Sequence, residues 1–306
     1  MQFSKDITVF NGITTPEPGT LVGYGAIIDA MQLQLPMPHA VAIISKKHKQ
    51  YSTENWLVYT PRHQPKETLF HQLVFALKYE GVNLLFFKTL FQKISEEEVM
   101  SLLQIEPTGQ YSRKIWFLYE WLLQTELPIA DLAIKNYVPL LEEKVQYSVT
   151  GIKSSRHKIT NNLPGTVDFC PLIFKTEKLE AKINAPLSNK KDIYLNNIHK
   201  DVVQRASSFL LLKDSRASFT IENENPGNNR AMRWGKAIGQ AGGAALSLEE
   251  LERLQQIVIE NSRFTEMGLR KKAGFVGEHD RATGAPIPDH ISATAKDIKP
   301  LMYGLL

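Results

Sequence analysis

Few side chains in this 306-residue sequence have both the type and the spacing that chemistry needs. The sharpest group is Ser218, Glu222 and Asn223, within "SFTIENENPG" (residues 218–227). Ser218 and Glu222 are four apart, so a helix stacks them on one face. Pro226 and Gly227 then forbid continuation and fix where that helix ends. Glu222 is thereby placed near a helix C-terminus, where the macrodipole disfavours negative charge. A carboxylate there calls for a cation, and arginine suits it because its guanidinium binds both oxygens at once. On spacing alone, a solvated glutamate on a frayed turn is the plainer reading.

Other motifs carry less. "GTLVGYGAII" (19–28) spaces its glycines like part of a dinucleotide loop. The third glycine is missing, no strand is expected before it, and the glycines fall inside a helical pattern. "GQAGGAAL" (239–246) lacks the Lys-Ser/Thr of a phosphate loop. Eight His and one Cys show no metal-ligand spacing. His279, Asp280 and His290 share a loop and read as ordinary loop polarity, so no metal is expected. No serine nucleophile elbow is visible.

Composition bounds the class. Hydrophobic residues make up 43% and charged residues 22%, enough apolar material for a sizeable core. The formal net charge of +4 is too small to argue for nucleic acid. The one basic cluster, Lys46, Lys47 and Lys49 in "SKKHKQY", reads as a solvated turn. The lone Cys170 allows no internal disulfide and suits a reducing compartment. The first residues lack the apolar stretch of a signal peptide, and no apolar run reaches the ~18 residues of a membrane span. The expected location is cytoplasmic, with no membrane contact.

Periodicity supplies the elements. Residues 1–19 read as extended and 20–34 as a helix. The runs 39–47 and 55–63 are strand-like and suggest a hairpin. Helical spacing begins at 67 and recurs over 82–93, then from Ser95, whose pairing with Glu98 is a capping box, and over 111–124. The rings of Trp116, Phe117 and Trp121 read as core. Residues 150–192 are basic and turn-rich, a connecting arm in which Phe169, Leu172, Ile173 and Phe174 should pack. Helices resume near 193 and continue over 230–243. Ser247 with Glu250 opens another over 248–261, and a last one starts at "DIKPLMYGLL". The expected fold is mainly α with a smaller α+β N-terminal part. It divides into residues 1–150, of unknown role, an arm over 151–192, and 193–306. Because the last run stops at Leu306 without a polar cap, the chain is expected to be cut within a domain.

The run Ser218-Phe-Thr-Ile-Glu222-Asn223 resembles the inhibitory motif (S/T)xxxE(G/N) of the Fic family of protein adenylyltransferases. The downstream segments are similar to that family in their order. "RWGKAIGQAGGAALSLEELERLQQIVIENSRF" looks like the first helices of a Fic domain. "GLRKKAGFVGEHDRATGAPIPDH" looks like its β-hairpin flap, with Phe275, Val276 and Gly277 as target-binding positions. The upstream "GQYSRKIWFLYEWL" and "NNLPGTVDFCPLI" are similar to the N-terminal extension of one bacterial subgroup.

The resemblance implies a partial helical Fic-type domain carrying a flap. It also implies transfer of AMP from ATP, with Mg²⁺, to a hydroxyl of a target protein. Glu222 would hold the last arginine of the catalytic loop, and arginine–carboxylate and arginine–phosphate pairing use the same fork and compete. The family's catalytic loop reads HPFx(D/E)GNGRxxR, and no His-Pro-Phe occurs in this sequence. No catalytic residue is therefore assigned within the chain. ATP and Mg²⁺ are cofactors expected of an intact enzyme and not of this chain alone. A target protein is the expected partner, self-association is compatible, and nucleic acid is not expected. The alternative is a non-catalytic binding or antitoxin-like module from a truncated or split gene.

Overall fold

The computed structural model describes residues 2–47, 49–221, 228–240, 242–259 and 266–306. They form a mixed α+β chain of two compact units, residues 1–176 and 177–306.

The first unit opens with a hairpin. Strands β1 (Lys5–Phe10) and β2 (Ile13–Val22) run antiparallel. They are joined at Asn11 and Gly12, which have φ of 45° and 79°. An Asn-Gly pair suits this two-residue turn because both central positions need positive φ. The helix expected from residue 20 starts later: β2 continues to Val22, and α1 spans Gly23–Met31. Leu21 and Val22 are fully buried and paired with the next strand, and that pairing overrides their helical neighbours. Pro16 and Pro18 are tolerated in β2 because its ladder to that strand starts only at Gly19.

Strands β3 (Val41–Ser45), β4 (Tyr51–Ser52) and β5 (Trp56–Tyr59) complete a sheet of order β1-β2-β3-β5-β4. The two runs expected to form a hairpin are instead parallel neighbours, with Val41 opposite Trp56. The tight reversal lies between β4 and β5, where the Thr53 amide donates to the Trp56 carbonyl at 2.8 Å. Strand β3 is buried on both faces: Val41 and Ile43 face the main core, while Ala42 and Ile44 pack with Val22, Tyr59 and Phe75.

Four helices follow at the expected places: α2 (Leu69–Tyr79), α3 (Leu84–Lys93), α4 (Glu96–Ile105) and α5 (Gln110–Leu123). Thr68, Asn83 and Ser95 cap the first three with side-chain oxygens. At Ser95 the capping box is complete. Its amide donates to the Glu98 carboxylate at 2.8 Å, and its hydroxyl accepts the Glu98 amide at 3.2 Å. Trp116 and Phe117 are buried as expected, whereas Trp121 is only half-buried.

A small sheet of order β6-β8-β7 closes the unit, from β6 (Val138–Pro139), β7 (Ile152–Ser154) and β8 (Ile159–Asn161). Ile159 and Leu163 enter the main core, and the Asn162 amide satisfies both the N–H and C=O of Leu141, at 2.8 and 3.1 Å. Buried Arg113 of α5 donates to the carbonyls of Asn136 and Lys158. The segment expected to be an arm over 151–192 is therefore split. Residues through 176 fold with the first unit, and from Glu177 the chain belongs to the second. Of its apolar residues, Leu172 packs on the core and Ile173 is exposed.

The second unit contains α6 (Glu177–Ile183), α7 (Leu187–Asn196), α8 (Lys200–Ile221), α9 (Asn228–Gly239) and α10 (Leu248–Val258). Strands β9 (Phe275–His279) and β10 (Pro286–Ile291) form an antiparallel hairpin, and α11 spans Ala295–Leu305. Helices α8 and α9 pack through Ser215, Phe219, Ala231 and Gly235. The Ser247 hydroxyl caps α10 by accepting the Glu250 amide at 3.1 Å. Among the described residues, no helix is long and apolar enough to cross a membrane.

Candidate functional site

The residues singled out in sequence reach two elements of the second unit. Ser218 lies in the last turn of α8, where its exposed hydroxyl donates to the Asp214 carbonyl at 3.1 Å. Glu222 and Asn223 lie outside the described residues. Phe275, Val276 and Gly277 begin β9. The Phe275 ring meets His279 edge-on at 5.2 Å, and Val276 is exposed. Gly277 has φ of 148°, and a Cβ there would lie 2.3 Å from the Ile287 carbonyl oxygen. That close approach to β10 requires glycine.

The hairpin tip is built by Asp280. Its Oδ1 accepts from the Ala282 amide, the Thr283 amide and the Thr283 hydroxyl, at 3.0, 2.7 and 2.8 Å. The Thr283 hydroxyl, with those amides, holds the carboxyl below its usual range. Asp280 is thus a turn-former. Among the described residues no group of three His, Cys, Asp or Glu side chains is placed to hold a metal.

The glycine-rich run at 19–28 straddles the end of β2 and the start of α1, so a strand does lead into its helix, contrary to the sequence expectation. The start of α1 is nevertheless filled from within the protein. The Gly23 amide donates to Gln72 Oε1 at 2.7 Å, and the Tyr24 amide donates to Glu80 Oε1 at 3.0 Å. Gly23 has φ of 64°, and a Cβ on it would meet Glu80 Oε1 at 1.7 Å. The helix start that could have cradled a phosphate holds the protein's own oxygens instead. Glu80 is deeply buried, and its Oε2 has no hydrogen-bond partner among the described residues. Burial raises its carboxyl to about 8, against the opposing effect of the Tyr24 amide.

A second cluster, with no counterpart among the sequence motifs, joins α5 to the β7–β8 turn. Buried Glu120 points at that turn and is met by Arg156, which donates through Nε and Nη2 at 3.0 Å each. Trp116 Nε1 and the Leu127 amide also donate to Glu120 Oε1, at 2.6 and 2.9 Å. Burial alone would raise this carboxyl; the Arg156, Leu127 and Trp116 donors overcome that and hold it below the usual range. Arg156 further reaches Asp131 at 2.9 Å and stacks over the Trp116 ring.

His157 completes the cluster. Its Nε2 lies 2.9 Å from Glu120 Oε2, and its Nδ1 lies 2.8 Å from the Ser154 hydroxyl. Burial pushes the ring's protonation down, with the Arg156 charge adding to it, against the pull of Glu120. The ring is therefore neutral near pH 7. An ionised carboxylate only accepts, so Nε2 carries the hydrogen and Nδ1 is left to accept from Ser154. A cleft of about 310 Å³ opens beside Glu120 and His157, bounded by Phe117, Trp121, Thr125 and Glu126.

The signal for this cluster was present but local. "SSRH" places Ser154 and His157 three apart, within reach across a tight turn, and Glu120 is a lone acid between two aromatic residues. Nothing in the pattern joins positions 36 and 37 residues apart.

Comparison with known proteins yields no match to a family model, to a curated protein or to a solved structure.

Proposed function

We propose that this chain is the regulatory and target-positioning region of a Fic-type enzyme that transfers AMP from ATP to protein hydroxyls, restrained through Glu222. The observation that carries the reading is the order of elements in the second unit. Helix α8, bearing Ser218, is followed by α9, the serine-capped α10 and a solvent-exposed hairpin. Fic-like sequence predicts that order.

The hairpin has one edge suited to a target. Strand β10 carries Pro286 and Pro288, which cannot donate to a further strand. Strand β9 has no proline, so its outer edge keeps its donors and acceptors for an extended target segment. Val276 and the Phe275–His279 ring pair flank that edge. The reactive loop itself must come from elsewhere, since His-Pro-Phe does not occur in these residues.

Labelled ATP tests the reading. Residues 1–306 alone should transfer no AMP. Coding sequence continuing in frame past codon 306 should encode an HPFx(D/E)GNGR loop, and in that longer protein Glu222→Gly should raise AMP transfer and auto-modification. A stop codon with no such loop, or activity unchanged by the substitution, would count against it.

A further inference from the structure

The Ser154–His157–Glu120 array has a reach the AMP-transfer reading does not use. We infer that Ser154 is a nucleophile for acyl transfer from small esters, with His157 as its general base and Glu120 as the group that orients the base.

The three residues form a continuous chain. The Ser154 hydroxyl lies 2.8 Å from Nδ1, and Nε2 lies 2.9 Å from the Glu120 carboxylate. This is the nucleophile–base–acid order in which a carboxylate sets the imidazole tautomer and leaves the other nitrogen free to take a proton. The ring nitrogens are used in the reverse sense to the commoner serine triads, because Ser154 is only three residues before His157 and reaches its near nitrogen. Both nitrogens belong to one conjugated ring, so the proton relay is unchanged.

The array is rigid at its base and open at its tip. Glu120 is fixed by Arg156, Trp116 and the Leu127 amide, and His157 is wedged edge-on against the rings of Trp116 and Phe117. Ser154 is half-buried and followed by the exposed Ser155. A cleft of about 310 Å³, walled by Phe117 and Trp121, opens on the Glu120 and His157 side of the array, while the half-buried Ser154 hydroxyl meets a small ester from its own solvent-facing side, beside exposed Ser155.

The step balances without a cofactor. The Ser154 oxygen attacks the ester carbonyl carbon while its proton moves to His157 Nδ1. The carbon–oxygen bond to the leaving group breaks, and the departing alkoxide takes that proton. Water then attacks the acyl-serine by the same route, releasing the carboxylic acid and restoring the hydroxyl.

The test uses a fluorophosphonate probe and p-nitrophenyl acetate on the full chain. Phosphonylation is expected at Ser154 by mass spectrometry, with acetate release that rises through an apparent pKa below the ordinary histidine value of about 6.5 and is level above it. Ser154→Ala should abolish labelling, and His157→Asn should slow it by roughly 100-fold or more, the usual range for loss of a general base. Circular dichroism melting separates lost chemistry from lost fold, since Ser154→Ala changes one hydroxyl at the end of β7. Absence of labelling in the parent protein, labelling at another residue, or a folded His157→Asn variant that reacts at the parent rate would each overturn the assignment.

Discussion

Glu80 and Glu120 are buried in the same unit and end in opposite protonation states. Glu80 receives one amide hydrogen bond and meets no cation among the described residues, so desolvation dominates and its carboxyl is raised to about 8. Glu120 receives Arg156, Trp116 and the Leu127 amide, which outweigh its desolvation and hold it ionised. Both carboxyls are buried, and the decisive difference lies in the donors. A buried carboxylate is ionised only where the surrounding chain supplies enough of them.

The contrast is broken most directly at Glu120. Glu120→Ala leaves Arg156 and His157 facing an empty position, and should cost about 3 kcal/mol or more in urea unfolding, the usual consequence of removing one partner of a buried pair. The same corner sets the acid side of the stability profile. The Glu120 carboxyl and the His157 ring are both shifted down in the fold. The unfolded chain therefore binds the extra protons, and stability is lost as pH falls, from about 6.5 for the histidine and lower for the carboxylate.

Glu80 works in the other direction. Its folded carboxyl holds a proton up to about 8, while the ordinary value is 4.5. The folded state binds the extra proton in that window, so its contribution is full below about 4.5 and falls as pH rises to about 8. Glu80→Gln cannot ionise and should remove this slope, leaving the variant more stable than the parent above pH 8 by on the order of a few kcal/mol. Unfolding curves between about pH 4 and 9 check it; a variant that runs parallel to the parent across that range would show that Glu80 is not the titrating group.

Glu98 gives the smallest effect and sharpens the rule. Its carboxylate is exposed and only returns a capping bond to the Ser95 amide. Glu98→Ala should cost about 0.5 to 1 kcal/mol by thermal unfolding, the scale of a helix cap.

The capping box at Ser95 was legible in sequence because all its atoms lie within one turn. The same is true of helices α2 to α5, whose apolar positions recur at helical spacing. The hairpin at Asn11-Gly12 was equally local, yet residues 1–19 read only as extended because Pro16 and Pro18 obscured the alternation. The parallel pairing of β3 with β5 was not legible: apolar runs show that strands exist but not which of them are neighbours. The β7–β8 segment read as an arm because only Ile159 and Leu163 mark it as core. Glu222 and Asn223 are legible as a motif, and their placement is outside the described residues.

By itself, then, the sequence determined helices α2 to α5, the caps at Ser95 and Ser247, the apolar content for a core, and the order of motifs on which the AMP-transfer proposal rests; α6 and the start of α7 lie in the segment that reads as an arm. Each of these depends on residues a few positions apart, where backbone geometry alone sets the contact. Tertiary structure decided the sheet order, the boundary at residue 176, and the meeting of Glu120 with Arg156 and His157. It also decided that Glu80 and Gln72 fill the start of α1. Those outcomes turn on desolvation and hydrogen-bond supply between distant segments, which no local pattern encodes.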